Sequence, residues 1–239
     1  MMKLEMHCHT AGSWCALSTP ERAVLEYKQD GYDGLVVTNH YAESEMIRYN
    51  LATKEDYAKY YLALIDDAIE MGKKYDFKVY FGAEVTLKNE EKAEYLLYGF
   101  DRQFLLDHSN LFDLTQTQLF ALAQEYGLFM AQAHPFRKNV KLGDPLFMHG
   151  VESFNGHFHH DSHNDLAIEF AKKNNLIKIC GTDYHDPEQP KTTGVLVSKN
   201  IKDEKQLADY LLENKHKLDY DEQKYNFWRK KYFKEMGWL

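Results

Sequence analysis

Five short strand-like runs in this chain end at, or lead straight into, side chains of the kind that bind metal ions. Residues 3–8 run into His7-Cys8-His9, Leu35-Val36-Val37 leads to His40, and Val79-Tyr80-Phe81 leads to Glu84. Residues 129–133 lead to His134, and residues 177–180 lead to Asp183-Tyr184-His185. In a barrel of parallel strands the side chains at the C-terminal ends converge on one face, where such folds build their sites. This recurrence constrains the chain to a fold that gathers strand ends.

Between these runs the apolar period becomes helical. A long helix is predicted over 54–74, with Tyr57, Tyr61, Leu64, Ala68 and Met71 on one stripe. Others are predicted at 116–126, where Gly127 is suited to end the helix, and at 165–173 and 204–212. Ser18-Thr19-Pro20-Glu21 opens a further helix, with Pro20 in its first turn and Glu21 completing a capping box with Ser18. Strands are also expected at Tyr95-Leu96-Leu97-Tyr98 and 151–154. Strands alternating with helices imply an α/β protein with a parallel sheet or barrel. Alternation in the first strand puts Leu4 and Met6 on one face and Glu5, His7 and His9 on the other.

Composition sets the class. A chain of 239 residues, 44% apolar and 28% charged, suits one globular domain. No apolar run approaches the roughly 20 residues that cross a bilayer, and MMKLEMHCHT does not read as a signal peptide. Cys8, Cys15 and Cys180 cannot make a disulfide framework, so a cytoplasmic setting is expected. Residues 1–215 read as the barrel, and 216–239 as a helical tail packed on it or on a partner, including another copy.

Twelve histidines are the anomaly. Chance alone gives about 0.6 His-x-His pairs at that frequency, so one pair carries little. A second pair, His157-Phe158-His159, is followed by Asp161-Ser162-His163 after Asn155-Gly156. That polar stretch reads as a loop, either exposed and helix-capping or at the rim of a pocket. His7 and His9 differ in context, because a strand points both imidazoles the same way. His108, His149 and His216 stand outside every motif and read as surface residues.

Taken in order, His7-x-His9-Thr10, the run from Gly34 to His40, Gly82-Ala83-Glu84-Val85, Ala133-His134-Pro135-Phe136-Arg137 and Gly181-Thr182-Asp183-Tyr184-His185 resemble the PHP (polymerase and histidinol phosphatase) superfamily. The resemblance spans residues 3–200. It implies a distorted (β/α)7 barrel carrying two or three divalent ions (zinc, manganese or iron) at the C-terminal ends of its strands, and phosphoester hydrolysis. By position it implies that His7, His9, Glu84 and Asp183 hold one ion. Glu84 would bridge to a second that His134 also binds, and His40 and His185 would hold a third.

Two of these sites then lack a ligand. Where relatives place Asp or His, this chain has Trp14 and Cys15, so Cys15 is the candidate for the third ion. A thiolate there would favour zinc over manganese, while the alternative is a small buried thiol. Asp101, after Gly99-Phe100, is the candidate for the second ion, or else it caps a helix near Gln103. Asn39, where many relatives have Asp, is expected to orient a neighbouring ligand. Relatives also have Glu and Asn at the positions of Glu152 and Asn155. A regular strand cannot point both into one site, and they are left off the ligand set.

The mechanism this implies is metal-assisted hydrolysis by a bridging hydroxide. Arg137 would clamp a phosphate oxygen bidentately, and His159 or His160 would protonate the leaving group or bind substrate. Three dications less two to four ligand charges leave the site at about +2 to +4, enough to draw in an anion. The net charge of −8 argues against membranes and against nucleic acid other than a short oligonucleotide end. The expected substrate is therefore a small phosphomonoester. The alternatives are a nucleotide or oligonucleotide end and, from another class, a non-catalytic metal-binding module.

Overall fold

A computed structural model describes residues 1–88 and 92–238. Leu239, the last residue of the expected tail, lies outside them. The chain opens with β1 (Met2–Cys8), α1 (Pro20–Gln29), β2 (Gly34–Val37), β3 (His40–Tyr41), α2 (Glu43–Arg48) and α3 (Lys54–Lys74). Next come β4 (Lys78–Thr86), β5 (Glu94–Tyr98), α4 (Arg102–Asp107), α5 (Gln116–Tyr126), β6 (Phe129–Gln132) and β7 (Gly150–Asn155). α6 (Asn164–Lys173), β8 (Ile177–Gly181), β9 (Thr193–Val197), α7 (Glu204–Leu212), β10 (Lys217–Tyr220) and α8 (Glu222–Glu235) complete it.

The strands form one sheet in the order β10-β9-β1-β2-β4-β5-β6-β7-β8, with β3 alongside β4. Beyond β8 the chain returns to β1: Tyr184 donates its N–H to the His7 carbonyl at 3.1 Å, and His9 donates to the Tyr184 carbonyl at 2.8 Å. These bonds bring the β8 end of the sheet back onto β1, so that β1 to β8 form a nearly closed barrel. The expected all-parallel order is corrected, because β5 runs antiparallel to β4 and β6, and β9 runs antiparallel to β1 and β10. Antiparallel neighbours need no crossover helix, and β5 folds straight back on β4.

Successive residues of a strand fall into two apolar clusters. Leu4, Met6, Val36, Leu96 and Ile179 pack with Leu207 and Leu211 of α7. Leu35, Val37 and Leu97 pack with Tyr27 of α1 and Tyr57, Tyr61 and Ile65 of α3. Met6 belongs to the first cluster and Cys8 to the second, although two residues apart on one strand. The pairing of β1 with β2 shifts register between Glu5 and Cys8 and accounts for this. Glu5 accordingly does not share the site with His7 and His9, as regular alternation predicts; its carboxylate accepts from the Thr182 hydroxyl at 2.5 Å.

Local chemistry sets the helix ends. Thr53 caps α3 by accepting from the Asp56 N–H at 3.0 Å, and α5 ends at Gly127 with φ 63°. The cap of α1 is Thr19, not Ser18: the Thr19 hydroxyl accepts from the Arg22 N–H at 3.2 Å. Pro20 at the first helical position leaves the residue before it extended, which is the N-cap conformation. Residues 217–220 extend the sheet as β10, and α8 follows, with Tyr225 buried against Phe154. Among the described residues no helix is long and apolar enough to cross a membrane.

Candidate metal centre

His7 and His9 leave the end of β1, and His40 of β3 lies opposite Glu84 of β4. His134 follows β6, and Asp183 and His185 follow β8. Two of these positions have left-handed backbone, with φ 26° at His134 and 53° at Asp183. Such a conformation costs a non-glycine residue on the order of 1–3 kcal/mol and persists only where the surroundings hold it. Here the Glu152 carboxylate accepts the His134 N–H at 2.9 Å, and the backbone of Tyr184 is bonded to β1.

The side chains converge. His7 Nε2 lies 3.0 Å from His9 Nε2, 3.3 Å from Glu84 Oε1 and 3.4 Å from Asp183 Oδ1. His9 Nε2 lies 3.4 Å from both Glu84 Oε2 and Asp183 Oδ1. Glu84 also meets His134 Nε2 at 3.0 Å and His40 Nδ1 at 2.9 Å. The rings of His9 and His185 stack at 4.3 Å. Of the predicted residues, His7, His9, His40, Glu84, His134, Asp183 and His185 form one continuous cluster.

This donor set fits divalent cations. Atoms about 2.1 Å from one ion sit about 3.0 Å apart in an octahedron and about 3.4 Å apart in a tetrahedron. The edges from His7 and His9 to each other, to the two Glu84 oxygens and to Asp183 Oδ1 fall in that range. Glu84 Oε2 is buried and makes no hydrogen bond within the described residues, despite its nearness to His40. Carboxylates are also in excess. Glu84, Glu152 and Asp183 are buried, Glu94 stands 3.7 Å from His134, and Arg137 is the guanidinium among them. Buried charge of one sign requires compensation.

The electrostatics follow from this crowding. Burial pushes the Glu84 carboxyl up, but His7, His40 and His134 together hold it well below the usual carboxylate range. Burial likewise opposes ionisation of Asp183, and His7, Arg137 and His185 reverse that. His7 is raised because Glu152, Asp183 and Glu84 outweigh its desolvation. His9 is lowered by burial and by the neighbouring His185 and His40. Two imidazoles this close do not both carry the second proton that makes them cations.

The site holds three residues that sequence reasoning passed over. Glu152 accepts from His7 Nδ1 at 3.0 Å and from Asn155 Nδ2 at 2.9 Å, and Asn155 Nδ2 also reaches Asp183 Oδ2 at 3.3 Å. Both can face inward because the register of β7 against β8 shifts between Glu152 and Phe154, a bulge that regular alternation cannot anticipate. Their match to relatives was the signal. Glu94 is the third, grouped with His40 and Glu84, and no motif marks it.

Asp101 is corrected. It is exposed and caps α4, accepting the Phe104 N–H at 2.8 Å. β5 runs against its neighbours, so its first residue, Glu94, lies at the metal-binding end and the residues after it lead away. Asn39 Oδ1 accepts the Thr10 N–H at 2.8 Å, on the segment after His9.

Cys15 adjoins His40 and His185. Burial raises its thiol, but hydrogen bonds with these two rings leave it below its ordinary value. Arg137 donates to Asp183 Oδ2 at 2.6 Å and to Asn155 Oδ1 at 3.0 Å. Cys15, Arg137, His157, His159 and His160 line a cavity of about 300 Å³ above the cluster, with Trp14 at its edge. His157, His159 and His160 are thus pocket wall, while His163 is exposed at the N-cap position of α6. His157 is buried, and its Nδ1 makes no hydrogen bond within the described residues. His108, His149 and His216 are half-buried rather than on the surface, His149 accepting the Met130 N–H at 3.2 Å.

No protein-family model and no curated protein matches the chain. Solved structures do. A two-domain protein of Bacteroides vulgatus, described as containing a PHP-like metal-dependent phosphoesterase, aligns with a TM-score of 0.65 at 20% identity, over 92% of this chain and 64% of its own. PsfC of Pseudomonas syringae aligns with a TM-score of 0.67 at 17% identity, over 96% and 98%. A lesion-specific endonuclease of Pyrococcus furiosus, PfuEndoQ, aligns with a TM-score of 0.56 at 12% identity, over 91% and 57%. The likeness is one of fold, a PHP-type α/β barrel.

Proposed function

We propose that the chain is a metal-dependent hydrolase of phosphoesters, acting on small phosphomonoesters. The observation that carries this is the meeting of His7, His9, Glu84 and Asp183 at ligand spacing beneath a cavity of about 300 Å³. That volume lies at the small end for ligand pockets and suits a short metabolite. The similar structures described as a phosphoesterase and an endonuclease support phosphoester chemistry.

His7, His9, Glu84 and Asp183 would hold one ion; Glu84, His134 and Glu94 a second; His40, His185 and Cys15 a third. The chemistry that zinc, manganese or iron supplies when bound there is Lewis-acid polarisation of phosphoryl oxygens and acidification of a water. The protein's own part is preorganisation. Glu152 takes the Nδ1 proton of His7 as a hydrogen bond and so turns the Nε2 lone pair inward. Arg137, held by Asp183 and Asn155, places a guanidinium at the cavity wall for a phosphoryl oxygen. His159 offers an imidazole further out, toward the leaving oxygen.

A second reading, a nucleotide or oligonucleotide end, is favoured by Trp14. The residue is 55% exposed at the cavity edge, with the Arg48 guanidinium 4.5 Å from its ring centre. A planar platform of that kind stacks bases. The test is hydrolysis of 4-nitrophenyl phosphate with added zinc, manganese or iron, by wild type and His9→Ala. Metal-dependent release by wild type alone supports the reading. Equal trace release by both, under every metal, ends it.

A further inference from the structure

The loop that carries His159 is held from outside by the C-terminal helix. Tyr232 of α8 stacks on the His159 ring, with centres 4.1 Å apart and planes at 25°. Phe158 meets the same tyrosine edge-on at 5.5 Å, and Arg229 is ion-paired with Asp161 of the loop. Tyr225 anchors the start of the helix against Phe154 of β7, ring centres 5.3 Å apart. One side of His159 faces the cavity and Tyr232 covers the ring.

A chain of ring contacts links His159 to the ligand cluster. His185, in the ligand cluster, lies 5.4 Å from His157, and His157 lies 5.1 Å from His159, ring centre to ring centre. His159 lines the same cavity as Glu84, His134, Asp183 and His185, so a phosphoryl group drawn to the cluster brings its ester oxygen and organic part into the space that His159 walls. Burial keeps His159 below its ordinary pKa, so at neutral pH it serves as a neutral N–H donor. A donor aimed at the leaving oxygen is worth more the more negative charge that oxygen develops.

We propose that Tyr232 and Arg229 are positioning residues that hold His159 against the leaving group, so that α8 sets which phosphoesters the site cleaves well. The proposal rests on the phosphoesterase reading above. An exposed loop histidine samples several rotamers; stacking on Tyr232 removes that freedom before substrate arrives.

Leaving-group dependence tests this. Nitrophenolate departs without help, whereas the alkoxide of glycerol 2-phosphate needs a donor. For Tyr232→Ala, kcat/KM should fall about 10- to 100-fold on glycerol 2-phosphate and less than about 3-fold on 4-nitrophenyl phosphate. Tyr232→Phe, which keeps the stack, should restore both rates, and Arg229→Gln should shift selectivity the same way by a smaller factor. If Tyr232→Ala does not fold, Arg229→Gln decides. Equal losses on both substrates, or none on either, overturn the proposal while leaving the phosphoesterase reading intact. A wild-type protein inert on both substrates with every metal overturns both.

Discussion

The Glu152 carboxylate accepts from His7 Nδ1 at 3.0 Å, so one buried acid fixes the tautomer of a candidate ligand 145 residues away in sequence. The same carboxylate accepts the His134 N–H and the Asn155 amide, tying three strand ends to one group. Loss of such outer partners typically costs about 10- to 100-fold in metal affinity. Glu152→Gln keeps the shape but offers His7 one weaker acceptor. Metal titration should show affinity reduced within that range with little change in fold; unchanged affinity would remove Glu152 from the support of the site.

Glu94 and Asp101 separate the antiparallel strand from the motif-based expectation. Glu94→Ala should lower the metal content or weaken one ion selectively, as measured by elemental analysis after dialysis. Asp101→Ala should leave metal content and activity unchanged and cost about 1 kcal/mol of stability through the lost cap of α4. The reverse pattern would restore Asp101 as a ligand.

Most of the fold was legible because its cues are local. The helix at Lys54–Lys74 shows its stripe, and Gly127 ends Gln116–Tyr126 by a backbone conformation that glycine adopts readily. The ligands at strand ends were legible because parallel strands share a polarity. What was not legible depended on irregularity: the register shifts in β1 and β7 break the period of two, sending Glu5 away from the site and Glu152 with Asn155 into it. The reversal of β5 is a matter of pairing between strands, and no residue in Tyr95-Leu96-Leu97-Tyr98 announces its direction.

Glu5 carries a pH signature. It is fully buried, accepts from the His7 N–H at 2.8 Å and from the Thr182 N–H at 2.7 Å, and burial pushes its pKa up to about 7 from 4.5. An acid whose folded pKa is raised binds its proton more tightly when folded. Its contribution is therefore present below pH 4.5 and is lost as pH rises through about 7, a change on the order of 3 kcal/mol. The stability of metal-free wild type relative to Glu5→Gln should decline across that window in denaturant titrations. Parallel profiles would contradict it.

Elemental analysis of the purified chain, before and after dialysis against zinc, manganese or iron(II), bears on everything above. Roughly two or three equivalents of divalent metal per chain are expected, falling below about one when His9→Ala and Asp183→Ala are combined. A folded wild-type protein that retains none of these metals, under any loading condition, would contradict the account.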